Sequence, residues 1–138
     1  MKIGGVDPKT LPKEEILVLP RGEQEIVFRA VGIPDYDEFD KLCPEPKPPG
    51  KLTKDGWEAN EDDPDYKSVL ANHNAKRLAW MAVKSLEPSE IEWDSVVPSK
   101  PSTWTNWQKD LKEAGFSQVE CNRVMQLVFQ ANCLDEEK

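Results

Sequence analysis

The chain of 138 residues is poor in the groups that carry enzymatic chemistry: it holds one histidine and three cysteines. Cys43, Cys121 and Cys133 cannot all pair, and their spacing fits neither a metal site nor a disulfide framework. They read as reduced thiols, since no Cys-x-x-Cys motif or basic activating neighbourhood is present. Basic residues are in deficit, 18 Lys and Arg against 26 Asp and Glu, for a net charge of −8. That balance argues against holding nucleic acid through its phosphates. No apolar run approaches the roughly 20 residues of a membrane span, and the N-terminus lacks the apolar stretch of a signal peptide. The expectation is a soluble, cytosolic protein with no internal repeats.

Catalytic motifs are missing as well. His73, between Asn72 and Asn74, has no companion motif and reads as a helix-surface or partner-facing residue. Gly4-Gly5 and Arg21-Gly22 lack the spacing of a phosphate-cradling loop. The acidic run from Asp55 to Asp65 departs from the EF-hand pattern and reads as a solvated loop. Trp104, Trp107 and Leu111 fall at i, i+3 and i+7, the spacing of core packing. Lys109 and Lys112 are too few to make a basic groove for a single strand. No catalytic residue, cofactor or metal is expected.

What the chain does have is proline and tryptophan, twelve and five respectively. Prolines at this density impose irregular chain between elements, and the tryptophans provide anchors for a core or an interface. The pattern predicts a single domain over residues 1–138, α+β and mainly helical, with an N-terminal β-hairpin packed on three to four helices. Residues 1–15 read as an extended arm and 16–31 as the hairpin, turning at Pro20-Arg21-Gly22-Glu23-Gln24. A short helical turn follows from Pro34-Asp35 through Tyr36, Phe39 and Leu42. Residues 43–63 read as a long, exposed, proline-rich and acidic loop.

The helical part spans 64–133. Asp63-Pro64 is an N-cap followed by proline at the first helical position, and the helix stops at Glu87-Pro88. Residues 88–101 are ambiguous, since Ile91 and Trp93 alternate like a strand while Ser89 and Glu92 have capping-box spacing. A helix from Trp104 to Ala114 is expected with Thr103 as N-cap and Gly115 as C′, then one opened by Ser117 and Glu120 and closed by Asn132. Leu134 to Lys138 resembles the first turn of a further helix.

The long helix is apolar all round in its C-terminal half. One stripe joins Ala71, Ala75, Leu78, Ala79, Ala82, Val83 and Leu86. The face Tyr66, Val69, Leu70, His73, Arg77, Trp80 and Met81 is the first candidate for partner contact; its alternative is packing under the hairpin. Trp57, an aromatic amid carboxylates, is the second. A hairpin with unfilled edges also suits strand addition, helix-in-groove recognition or self-association.

The order of residues resembles a known family. Leu17-Val18-Leu19-Pro20-Arg21, Ile26-Val27-Phe28-Arg29-Ala30, Tyr36-Asp37 and Leu42-Cys43-Pro44-Glu45-Pro46 carry the likeness in the N-terminal part. Arg77-Leu78-Ala79-Trp80-Met81, Ser85-Leu86, Ile91-Glu92-Trp93, Pro101-Ser102-Thr103-Trp104 and Gln130-Ala131-Asn132-Cys133-Leu134-Asp135 continue it over most of the chain. These strings are similar to the tail assembly chaperones encoded beside the tail-tube and tape-measure genes of long-tailed bacteriophages. The resemblance implies a non-enzymatic protein without cofactor that holds the tape-measure protein and recruits tail-tube subunits to it. It implies action in the host bacterial cytoplasm and absence from the mature virion. Many family members are made in two lengths by ribosomal frameshifting, which a chain ending at an unfinished helix would fit. Two other classes remain open, an acidic inhibitor of a host protein and a minor virion structural or connector protein.

Overall fold

The computed structural model describes residues 1–10 and 14–134. Strand β1 (Glu14–Arg21) pairs antiparallel with β2 (Gln24–Val31), in register from Glu14 opposite Val31 to Arg21 opposite Gln24. Gly22 (φ +63°) opens the two-residue turn, where a side chain would be strained. Helix α1 (Asp37–Leu42) follows, then β3 (Gly50–Thr53) and β4 (Gly56–Ala59), then the long α2 (Pro64–Ser85). A 3-10 segment, Pro101–Asn106, leads into α3 (Trp107–Glu113), and α4 (Gln118–Ala131) closes the order. The fold is α+β and mainly helical, as the pattern predicts. No helix among the described residues is long and apolar enough to cross a membrane.

The helix ends follow local chemistry. The Asp63 carboxylate accepts from the Tyr66 N–H at 2.9 Å, with Pro64 at the first helical position. Ser117 and Glu120 form a reciprocal capping box at the start of α4. Helix α3 ends in a Schellman motif: Gly115 (φ +104°) donates to the Lys112 carbonyl and Phe116 to that of Leu111, both at 3.1 Å.

Three expectations need correction. The arm 1–15 is not extended throughout, because Ile3 and Val6 bond to each other across Gly4-Gly5 and Pro8–Thr10 form a 3-10 turn. Its residues 11–13 lie outside the described residues, and Glu14 and Glu15 already belong to β1. The loop 43–63 contains the second hairpin, turning at Lys54-Asp55, with Gly56 at φ +109° and Thr53 Oγ donating to the Gly56 carbonyl at 2.9 Å. Thr103 does not cap a helix. Its hydroxyl bonds Val97 and Lys100, and Pro101 starts a tighter 3-10 turn. Leu134 closes the end of α4, and the turn expected from Leu134 to Lys138 otherwise falls on residues 135–138, outside the described residues. Leu134 N–H donates to Phe129 O at 2.8 Å and Cys133 (φ +57°) to Gln130 O at 3.1 Å. Residues 91–98 form neither strand nor helix.

Trp104, fully buried, is central to the core; its ring lies 5.8 Å from Phe39 and its indole N–H donates to the Pro98 carbonyl at 3.0 Å. The inner face of the first hairpin (Leu19, Phe28, Ala30) is buried, and the hairpin packs on α4, which buries Cys121, Val124, Leu127 and Val128. Asn132 ties three elements together: its side chain donates to Ser85 Oγ and Val128 O and accepts from the Ile33 N–H. At the turn end, the two terminal nitrogens of the Arg21 guanidinium reach Glu120 at 2.7 Å, and the same guanidinium lies 4.9 Å from the Phe116 ring centroid.

The Arg21 bond, then that from the Ser117 N–H, holds the Glu120 carboxyl down at about 2. A carboxylate so depressed stabilises the fold above its unfolded value near 4.5, and that contribution disappears as pH falls through about 2. Chemical denaturation from pH 6 downward is therefore expected to show stability lost over this window. Glu120→Gln is expected to be less stable at neutral pH, with a shallower acid slope. An unchanged slope would place the acid sensitivity elsewhere.

Candidate partner-binding surface

The expected partner face on α2 splits in two. Its C-terminal part is core: Trp80 and Met81 are each 3% exposed and His73 is 8% exposed. Helix α1 covers it. The Trp80 ring sits 5.6 Å from Phe39 and 5.4 Å from Tyr36. The His73 ring sits 5.2 Å from Phe39, with Nδ1 3.6 Å from the Cys43 sulfur. His73 is thus neither surface nor partner-facing; its contact with Cys43 holds the start of the proline-rich segment against α2. Arg77 stays at the surface, its guanidinium 4.3 Å from the Tyr36 ring centroid. The cover comes from Tyr36 and Phe39 at α1, with the segment Pro101–Asn106 packed on the same helix.

The N-terminal part of that face remains accessible. Val69 is exposed, while Tyr66 and Leu70 are half-buried. Tyr66 and Val69 border a shallow depression with Pro46 and Pro49. Trp57 is 75% exposed on β4, opposite Leu52, itself 73% exposed. These two side chains form a cross-strand pair on a hairpin that buries no residue. The structure thus leaves Trp57 and Val69 able to meet another chain and withdraws His73, Trp80 and Met81.

A further surface was legible only in outline. Residues directly opposite in an antiparallel pair share a face, so Val18 with Val27 and Ile16 with Arg29 point away from the row of half-buried Leu17 and buried Phe28. Ile16, Val18 and Val27 are 53%, 43% and 37% exposed on that outer face. The signal was the uninterrupted run Ile16 to Leu19, since a strand apolar at both parities has an apolar face to spare.

Beside β2 lies a cleft of about 300 Å³. Its walls are Ile26–Phe28 of β2, the segment Ser89–Asp94, and the end of α3 with Leu111, Ala114 and Phe116. Asp110 forms part of the floor, 5% exposed, accepting from the Ser95 N–H at 2.9 Å and the Ser95 hydroxyl at 2.5 Å. Burial pushes its carboxyl up, but the bonds from the Ser95 side chain and the N–H groups of residues 94–96 outweigh that and hold it below the usual range. Asp110 is therefore a charged clamp that fixes the 94–96 segment and the cleft wall. Among the described residues, no group of three or more His, Cys, Asp or Glu could hold a metal ion. Comparisons of the chain with protein-family models, with curated proteins and with solved structures return no match.

Proposed function

We propose that this chain is a non-enzymatic tail assembly chaperone of a long-tailed bacteriophage, acting in the host cytoplasm and absent from the finished particle. In this reading it holds the tape-measure protein and recruits tail-tube subunits to it. The residue strings from Leu17-Val18-Leu19-Pro20-Arg21 to Gln130-Ala131-Asn132-Cys133-Leu134-Asp135 supply the resemblance. The observation that carries the binding role is the outer face of the first hairpin, Ile16, Val18 and Val27, left to solvent on a strand pair anchored by Arg21–Glu120 and the α4 core.

Magnitudes fit a holder that must let go. Covering three apolar side chains that are each about half exposed yields roughly 2–4 kcal/mol, before the ordering cost of the partner. That supports repeated weak contacts along a long helical client better than one permanent complex. The net charge of −8 keeps a protein with exposed apolar residues dispersed. Val69 and Trp57 are additional contact points on the same chain.

The test is co-expression with the tape-measure and tail-tube proteins of the same genome, followed by pull-down. Retention of the tape measure together with an increase in its soluble fraction is expected. Absence of both, with both partners well expressed, overturns the reading, and host lysate then becomes the bait for the inhibitor alternative.

A further inference from the structure

The free edge of β2 is open at one position and closed at the next. The Arg29 N–H donates to Ser89 Oγ, and the Ser89 hydroxyl donates to the Arg29 carbonyl, both at 2.7 Å. Arg29 therefore turns its backbone groups away from β1, towards the free side. Antiparallel ladders alternate with a period of two, so Val27 and Glu25 turn their N–H and C=O the same way. Pro20, opposite Glu25, agrees with this register: it stands where the β1 backbone faces outward and no ladder N–H is needed. Ser89 thus occupies the place of a third strand at Arg29, while residues 91–94 diverge from β2 and leave the 300 Å³ cleft beside Val27.

We infer that this cleft binds an extended peptide segment that adds to β2 at Val27, places a large apolar side chain between Trp93, Leu111 and Phe116, and carries basic residues beside it. The exposed backbone groups of Val27 supply the ladder bonds. The apolar wall supplies the side-chain pocket, at the small end of the range for ligand sites and suited to a side chain more than to a cofactor. Charge selects the flanks. The charged residues lining the cleft are Glu92, Asp94 and Asp110, all acidic; along the edge Glu25 lies on one side of Val27 and Arg29, paired with Glu14, on the other. A second copy of this acidic chain is disfavoured by the same field. The site shares Val27 with the face proposed for the tape measure but uses its backbone edge where that face uses its side chain, so the two readings are tested separately.

The experiment uses the full chain and a short fluorescein-labelled peptide with alternating threonine and leucine and lysines at both ends, read by anisotropy. A counterpart with glutamates at both ends is the charge control. The lysine-ended peptide is expected to bind, and the glutamate-ended one about tenfold more weakly or not at all. Val27→Pro removes the outward N–H without costing a ladder bond to β1 and is expected to weaken binding about tenfold, whereas Val27→Thr keeps the N–H and keeps binding. Ala114→Phe, at an exposed position on the cleft rim, is expected to fill the pocket and abolish binding even if Val27→Pro proves unstable. The inference is overturned if the wild type binds neither peptide, if both bind equally, or if a folded Ala114→Phe binds like wild type. A negative result here leaves the tape-measure pull-down intact, and the reverse also holds.

Discussion

Trp80→Ser is expected to destabilise the whole fold severely, not to release a partner from a protein of unchanged stability. The indole is 3% exposed and packed between Tyr36 and Phe39, so truncation leaves a cavity and introduces a hydroxyl without an assigned acceptor. Substitutions of this kind cost roughly 3–5 kcal/mol, against total stabilities of about 5–15 kcal/mol. Chemical denaturation followed by near-ultraviolet circular dichroism measures this directly. A Trp80→Ser variant of wild-type stability that lost only its partner would restore the C-terminal half of α2 as a binding face.

The second large effect is on function with the fold intact. Ile16→Thr/Val18→Thr changes two side chains on the outer face of β1, 53% and 43% exposed, to a residue that favours strands. Its melting temperature is expected to stay near wild type, because surface substitutions away from special features change stability by about 0.5 kcal/mol or less. Co-purification of the tape-measure protein is expected to fall about tenfold, since the polar hydroxyls remove the apolar burial that drives contact. Loss of folding, or unchanged co-purification, would argue against the outer face as the contact.

The contrast between these two outcomes shows what was legible in the sequence. Helix boundaries set by two or three neighbouring residues were readable: Asp63-Pro64 starts α2, Ser117 with Glu120 starts α4, and Gly115 ends α3. The burial of α2 was not. Its C-terminal half is apolar all round, so periodicity could not choose between the Ala71, Ala75, Leu78 stripe and the side bearing Trp80 and Met81. Of that stripe, Ala71, Ala75 and Leu78 (46%) are exposed, whereas Ala79, Ala82, Val83 and Leu86 are buried together with Trp80 and Met81. The choice is made by Phe39 and Trp104, whose docking on α2 depends on chain paths through α1 and the 3-10 segment.

Local rules also failed where a residue found a better distant or competing partner. Thr103 had an N-cap's position, yet its hydroxyl serves the turn from Val97 to Lys100. The spacing of Ser89 and Glu92 pointed to a capping box, yet the Ser89 hydroxyl bonds the backbone of Arg29, sixty positions away. The second hairpin carried a usable signal in Asp55-Gly56, hidden by the acidic residues around it. The cleft beside β2 combines three segments remote in sequence, and no pattern within one of them announces it.

The central claim is that the first hairpin, and not α2, meets the client. Amide hydrogen exchange on the full chain, alone and bound to the co-expressed tape-measure protein, tests this most directly. The account predicts new protection concentrated in residues 14–31, with residues 73–86 equally protected in both states because they are already core. New protection confined to α2, with residues 14–31 exchanging alike in both states, would contradict it.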